Sequence, residues 1–352
     1  MSLKPLLKRG WICLWALLLP LLAGAQTAQQ YAARYATLVK NVGVAGVGVE
    51  TLLDKWEAAS PDDIEMLVAK FMFHYTKAQR TEAVRKDQAR YLGQDPVISL
   101  KDSLGNPVHF FQETFFDDEA FGLGLKYLDR AIQAEPLRLD LRMSRVTALV
   151  VYEKESPDMA TSDLSGLIDE HFKEKPAWTY PGVENVNQEF FDLQVQDICF
   201  TFFRYASPAC YAAFKSLSEH MLTYEPDNAL FLDNLGSYYL ACEKNDRKAL
   251  KYYNKVLKKH PDDMTAISNC IVLARMSRNV KLEKKYLPML IQHSTDENAV
   301  QAARVRLEYL QGKREKNCKN VCSFRKSMYL CNPKTKVREY SSLAQLVRAP
   351  DC

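Results

Sequence analysis

The sequence predicts an all-α fold, a solenoid of two-helix units with a small β-hairpin or loop insertion near residues 96–111. Two matching helix boundaries, Pro226-Asp227-Asn228 and Pro261-Asp262-Asp263, lie 35 residues apart, which is the sequence signature of a repeat. The apolar residues between them recur with the 3.6-residue period of a helix. Strong turn residues break the helical period around Ser103-Leu104-Gly105-Asn106-Pro107.

The best repeat covers residues 229–263. Asp227 or Asn228 can cap its first helix, because a short polar side chain accepts hydrogen bonds from the opening turn. The repeat-packing positions are Leu232, Leu235, Gly236, Tyr239, Ala249, Tyr253, Val256 and Pro261. Their order and spacing resemble the tetratricopeptide repeat, except that Leu232 stands where the family has Trp and the turn is one residue longer.

The resemblance implies a right-handed superhelical solenoid in which the first helix of each unit lines a groove. Gly236 and Ala249 are small where the two helices should approach most closely. Residues 26–155 are predicted to form divergent helices that carry the insertion, and residues 156–312 to form the clearer repeats. Residues 298–310 have the pattern of a capping helix.

The insertion is predicted from two short β-type runs, Val97 to Lys101 and Val108 to Phe111, on either side of the turn. Four phenylalanines follow or end the second run: Phe110, Phe111, Phe115 and Phe116. Two interpretations stay open, plain packing of the insertion against helices and a lip that faces a ligand.

Residues 1–25 have the pattern of a signal peptide. Lys4, Lys8 and Arg9 precede a short apolar run, and Ala23-Gly24-Ala25 provides small residues for cleavage. The run is shorter than the roughly 20 residues that a membrane helix needs, although an uncleaved anchor is an alternative. We therefore expect an exported protein, periplasmic or secreted, without a membrane span after signal cleavage.

Residues 313–352 are predicted to be a basic, disordered tail. They hold ten Lys or Arg and three Asp or Glu, and the final residues 341–352 resemble the peptide produced when a reading frame runs into a transfer-RNA gene. A basic nucleic-acid-binding arm is the alternative. The whole chain holds 47 basic and 43 acidic residues. Without residues 313–352 and the three cations of residues 1–25, residues 26–312 hold 34 basic and 40 acidic residues. This balance disfavours nucleic-acid binding by the body.

The sequence shows no pattern typical of catalysis, of a metal site or of a cofactor site, so we expect no enzyme. The histidines stand singly, at positions 74, 109, 171, 220, 260 and 293. In the body, Cys199, Cys210, Cys242 and Cys270 are expected to be buried thiols, with disulfide pairing as the alternative in an oxidising compartment.

We expect an exported adaptor or scaffold that binds a protein or peptide through its groove. The resemblance places Asn234 and Asn269 where the family often has a peptide-binding Asn, with Ser237 and Arg275 further along the same helices. An amide can donate and accept at once, which suits a peptide bond. The alternatives are solvated or turn-capping asparagines, a structural component of a cell-envelope complex, and an enzyme with a dispersed site.

Overall fold

The computed structural model describes residues 27–312. The predicted signal peptide and the predicted tail lie outside these residues. Within them, the chain forms thirteen α-helices and three β-strands: α1 (Ala28–Val42), α2 (Val49–Ala59), α3 (Ile64–Ala78), β1 (Gln79–Lys86), β2 (Ile98–Lys101), β3 (Pro107–Phe116), α4 (Asp118–Ala134), α5 (Leu139–Glu153), α6 (Asp158–Glu174), α7 (Gln188–Tyr205), α8 (Pro208–Tyr224), α9 (Ala229–Ala241), α10 (Asp246–Lys259), α11 (Met264–Met276), α12 (Val280–His293) and α13 (Glu297–Leu310).

The insertion is a three-stranded sheet rather than a two-stranded hairpin. Its strand order is β1-β3-β2, and β2 pairs antiparallel with β3 so that Ile98 lies opposite Phe110. The sequence pattern predicts β2 and the first half of β3. It misses β1 because residues 79–86 are mostly polar and exposed and show no alternating apolar pattern.

The described chain divides into two compact units. The first contains residues 27–82 and 114–141, and its centre is the packing of α3 against α4. Lys70 is buried there, and its ammonium lies 2.5 Å from Asp54 and 3.0 Å from Glu57. A buried charge needs such partners, because desolvation otherwise disfavours it strongly.

The second unit contains residues 83–113 and 142–312. From α7 to α13, each helix packs against the next along the chain. Short polar side chains cap the helices: Asn228 accepts from Leu230 N–H, and Asp263 accepts from Ala266 N–H at 2.8 Å. These two caps belong to the boundaries that the sequence predicts, so α9–α10 and α11–α12 are successive helix pairs.

The α9–α10 pair and the α11–α12 pair share one apolar core. Leu232, Leu235, Tyr239, Ala249, Tyr253 and Val256 are all buried in it. A Cβ atom placed on Gly236 would lie 2.4 Å from the Tyr253 ring, closer than any real carbon contact. Glycine at this position therefore lets the two helices approach until the ring of α10 lies on the backbone of α9.

The connector between α6 and α7 is packed rather than open. Trp178 and Tyr180 are buried, and Trp178 Nε1 donates to His171 Nδ1 at 3.0 Å. The His171 ring is therefore protonated on Nε2, which donates to Gln188 Oε1 at 2.9 Å. Burial lowers the pKa of His171, so the neutral ring required by this hydrogen-bond chain is the favoured form.

The body cysteines are unpaired thiols. Cys199, Cys210 and Cys270 are buried, and Cys242 is half-buried. Burial raises the pKa of Cys199 to about 12, which keeps it a neutral thiol at physiological pH. These cysteines act as small packing side chains.

Candidate ligand-binding site

A cavity of the second unit is lined by residues of α11, α12 and α13 and of the turn between α12 and α13. We call it the C-terminal cavity, and its volume is about 610 Å³. Its lining includes Thr265, Ser268, Ile271, Val272, Arg275, Leu287, Leu290, His293, Asp296, Ala299 and Ala303. This volume falls within the range of roughly 300–1,000 Å³ that is usual for ligand sites.

The C-terminal cavity has an apolar floor and a polar rim. The lining residues Ile271, Leu287 and Ala303 are buried and form the floor, whereas Thr265 and Arg275 of α11 are half-buried and form the rim. Such a cavity can bury an apolar side chain while the rim binds polar groups beside it.

One residue that lines the cavity is smaller than its equivalent in the preceding repeat. Asp233 on α9 is buried near Asp263, the N-cap of α11. The residue 35 positions later is Ser268 on α11, which lines the cavity with Asp296, the N-cap of α13. Serine is smaller than aspartate, so the side chain at this position occupies less volume in the second repeat than in the first.

Arg275 is held at the cavity edge by a buried carboxylate. Glu283 on α12 is 2% exposed, and it accepts from Arg275 Nε at 2.8 Å and from Arg306 on α13 at 2.9 and 3.0 Å. Burial opposes its charge, but the hydrogen bonds from the two guanidinium groups outweigh burial and lower the pKa of Glu283. This cluster ties α11, α12 and α13 together.

The other predicted ligand contacts are interior. Asn234, Ser237 and Asn269 have no exposed side-chain surface. Asn234 exchanges two hydrogen bonds with Gln196 of α7, at 2.6 and 2.9 Å. The Asn269 amide lies 3.5 Å from Ser237. The expected accessible position of these amides is wrong, and so is the alternative of solvated or turn-capping asparagines.

The 35-residue spacing of Asn234 and Asn269 has a structural cause. Gln196 of α7 bonds Asn234 of α9, and Asn269 of α11 donates to Ser237 of α9, so these buried side chains form a polar ladder that links neighbouring first helices. A buried amide must find hydrogen-bond partners, so this ladder fixes the register of the helices that carry it. Of the predicted contacts, only Arg275 lies beside the C-terminal cavity.

Two buried acids at the helix junctions predict an unusual pH dependence. Burial, reinforced by the charge of Glu225, raises the pKa of Asp192 to about 7. Burial and the charge of Asp263 raise the pKa of Asp233 well above its usual range. Because both folded-state pKa values exceed the unfolded ones, the stabilisation is fully present below the unfolded pKa and is lost as the pH rises through the folded pKa.

We therefore expect Asp233→Asn to raise the free energy of unfolding by about 1–3 kcal/mol at about pH 8 and to change it little near pH 4. The variant keeps the shape of the side chain and removes its ability to ionise. Urea unfolding at both pH values measures the effect. A variant that is equally destabilised at both would contradict the assignment of Asp233 as a neutral buried acid.

His220 has partners that sequence spacing does not reveal. Its Nδ1 lies 2.8 Å from Ser165 Oγ and its Nε2 lies 2.7 Å from Asp169 Oδ1. Tyr224, Lys173 and His220 all contact Asp169 and lower its pKa. Ser165 lies within α6, where the backbone N–H groups donate to carbonyls of the helix. They are therefore not available to bind the negatively charged oxygen that a serine nucleophile would generate. The cluster ties α6 to α8.

The insertion both packs and borders a second cavity. Phe111 is 1% exposed, which agrees with plain packing. Residues 86–93 nevertheless line a space of about 700 Å³ together with the corner between α7 and α8. A Cβ atom on Gly93 would lie 1.8 Å from the Arg204 carbonyl oxygen, so the loop backbone lies directly against the end of α7.

The body also carries a concentrated positive surface. Helices α10 and α12 hold nine Lys or Arg residues and two acidic ones, although residues 26–312 are acidic in sum. The net charge of residues 26–312 therefore does not describe this surface. Net charge sums over the chain and cannot show that like charges share one face.

Two absences hold for residues 27–312. No helix in that range combines the length and apolarity needed to cross a membrane. Over the same range, no group of three or more His, Cys, Asp or Glu side chains is arranged to hold a metal ion.

Comparisons with known proteins give a structural likeness without a family. No family model matches the chain, and no curated protein matches it. Among solved structures, it is similar to the flexible tandem repeat domain of a component of bacterial cellulose synthase, with a TM-score of 0.25 and 14% sequence identity, over 83% of this chain and 100% of that chain. At that TM-score no residue role can be transferred from the domain to this protein.

Proposed function

We propose that the protein is a peptide- or protein-binding scaffold whose partner inserts a side chain into the C-terminal cavity. The observation that carries the proposal is the combination of an apolar floor with a polar rim on α11. Serial packing of α7 to α13 supplies a rigid support for that surface. Arg275, fixed by Glu283, would orient an acidic or carbonyl group of the partner beside the inserted side chain.

Export belongs to the same proposal. The cationic start, the apolar run and the small residues of positions 1–25 support it. A periplasmic or secreted scaffold without a cofactor, built as a right-handed solenoid, is the form that the sequence resemblance favours.

The proposal is tested by blocking the cavity. Ala299 on α13 lines it, whereas Gln301 on the same helix is exposed and does not. Peptides selected by phage display on the wild-type protein should bind the Gln301→Trp variant with unchanged affinity. They should bind Ala299→Trp at least about tenfold more weakly, because the indole fills the space that the ligand needs.

Thermal unfolding of both variants serves as the folding control. Selected peptides that bind Ala299→Trp as tightly as Gln301→Trp would show that the C-terminal cavity is not the binding site. Failure to select any peptide against the wild-type protein would count against the scaffold function itself.

A further inference from the structure

One solvent-facing surface of the second unit is almost wholly cationic. We call it the lysine face, and it consists of Arg247, Lys248, Lys251, Lys255, Lys258, Lys259, Lys281, Lys284 and Lys285. All nine residues are exposed. It is distinct from the C-terminal cavity, since its members do not line that cavity.

The two helices present their cations side by side. Asn254 of α10 accepts from Tyr286 of α12 at 2.8 Å and from Lys285 at 3.3 Å. Lys251 and Lys258 lie three and four residues from Asn254, so they share its side of α10. The stripe from Arg247 to Lys258 is about 17 Å long at the helical rise.

Little negative charge offsets this surface. The acids of the two helices are Asp246 and Glu283, and Glu283 is buried between Arg275 and Arg306. Among the described residues, Asp227 pairs with Lys259 at 2.6 Å and with Lys255 at 3.4 Å. Glu243 pairs with Lys248 at 3.6 Å. Lys251 and Lys258 of the stripe have no ion pair among the described residues.

We propose that the lysine face docks onto a bilayer surface that carries anionic phospholipid headgroups. Eight of its nine cations are lysines. A lysine is a compact charge on a flexible stem, which suits phosphate groups whose positions are not fixed. Clusters of four to eight such cations are the usual basis of electrostatic binding to anionic lipid.

Nucleic acid is disfavoured by the same surface. Binding of single strands uses exposed aromatic rings on which bases stack. On these two helices Tyr253 and Tyr286 are fully buried, and Tyr252 is stacked on Tyr239 with ring centroids 5.5 Å apart. These aromatic rings pack against other residues of the protein, whereas the nine cations are exposed.

The test is vesicle co-sedimentation of the full chain. Vesicles of phosphatidylcholine with phosphatidylglycerol should bind the protein at low salt and release it at high salt, and vesicles of phosphatidylcholine alone should bind it much less. The triple variant Lys251→Gln, Lys258→Gln, Lys284→Gln should partition onto the anionic vesicles roughly a hundredfold more weakly, since each lysine near the surface contributes about a fivefold effect.

A charge-matched control isolates the face. Lys40→Gln, Lys101→Gln, Lys126→Gln removes three exposed cations elsewhere and should bind as the wild type does. Both triple variants keep the cations of residues 1–25 and 313–352, so a difference between them reports the lysine face alone. All six positions are exposed, and thermal unfolding verifies that the variants fold.

Three results would overturn the proposal. The first is equal binding of the two triple variants to anionic vesicles. The second is equal binding of the wild type to neutral and anionic vesicles. The third is lysine-face-dependent binding of duplex DNA together with no binding to anionic vesicles, which would assign the surface to nucleic acid instead.

Discussion

Replacing Gly236 with alanine should lower the free energy of unfolding by about 3 kcal/mol, since overpacking a rigid core costs of that order. The added Cβ would lie 2.4 Å from Cε1 and 2.7 Å from Cδ1 of Tyr253. That ring has no room to retreat, because Tyr253 has no exposed surface and its hydroxyl lies 3.2 Å from Ser237 Oγ. Urea unfolding of the variant at neutral pH measures the loss.

Gly166 provides the matched control. It also lies within a helix of the second unit, but a Cβ there would meet no atom within 4 Å. Gly166→Ala should therefore stabilise the protein by up to about 1 kcal/mol, because alanine restricts the unfolded chain and favours the helix. If Gly236→Ala were as harmless as Gly166→Ala, the close approach of α9 and α10 would be wrong.

Helix boundaries were predictable because local chemistry determines them. At three boundaries, a short polar residue lies two positions after a proline and accepts a hydrogen bond from the first turn of the next helix: Asp63, Asn228 and Asp263. The apolar stripe of 229–263 also follows from a local period. Helix α11 begins directly after the Asp263 cap, at Met264.

Long-range polar pairing was not predictable. Gln196 and Asn234 are 38 residues apart, and Ser165 and His220 are 55 residues apart. Nothing in the spacing of such residues distinguishes a buried amide from one on a binding surface. Asn234 and Asn269 carry the amide group that is common in ligand contacts. Their hydrogen-bond partners are nevertheless protein groups, which only the tertiary fold brings within reach.

The C-terminal cavity was predictable only in part. Arg275 was expected near a ligand, and it lines the cavity edge. The space itself is formed by residues of three helices and depends on their tertiary packing, although one lining residue, Ser268, is smaller than Asp233 at the equivalent position of the preceding repeat. A change of side-chain volume becomes a cavity only when the neighbouring backbone does not move in to fill it.

The Glu283 cluster carries the second large effect. Glu283→Ala should lower the free energy of unfolding by about 3 kcal/mol, because it removes a buried carboxylate and leaves two guanidinium groups without their partner. Arg275 and Arg306 remain 28% and 35% exposed, so water compensates part of the loss. Glu243→Ala is the control, since its ion pair with Lys248 is largely exposed and contributes less than about 1 kcal/mol.

The pH dependence of this loss has a defined sign. The folded-state pKa of Glu283 lies below its ordinary value of 4.5, so its stabilisation is present above the unfolded pKa and disappears as the pH falls through the folded pKa. The difference between wild type and Glu283→Ala should therefore be largest at neutral pH and shrink in acid. Opposite behaviour is expected for Asp233, whose raised pKa makes its contribution fade as the pH rises. A Glu283→Ala deficit that stayed constant down to strongly acidic pH would mean that lost packing, rather than lost charge pairing, explains how α11, α12 and α13 are held around the cavity.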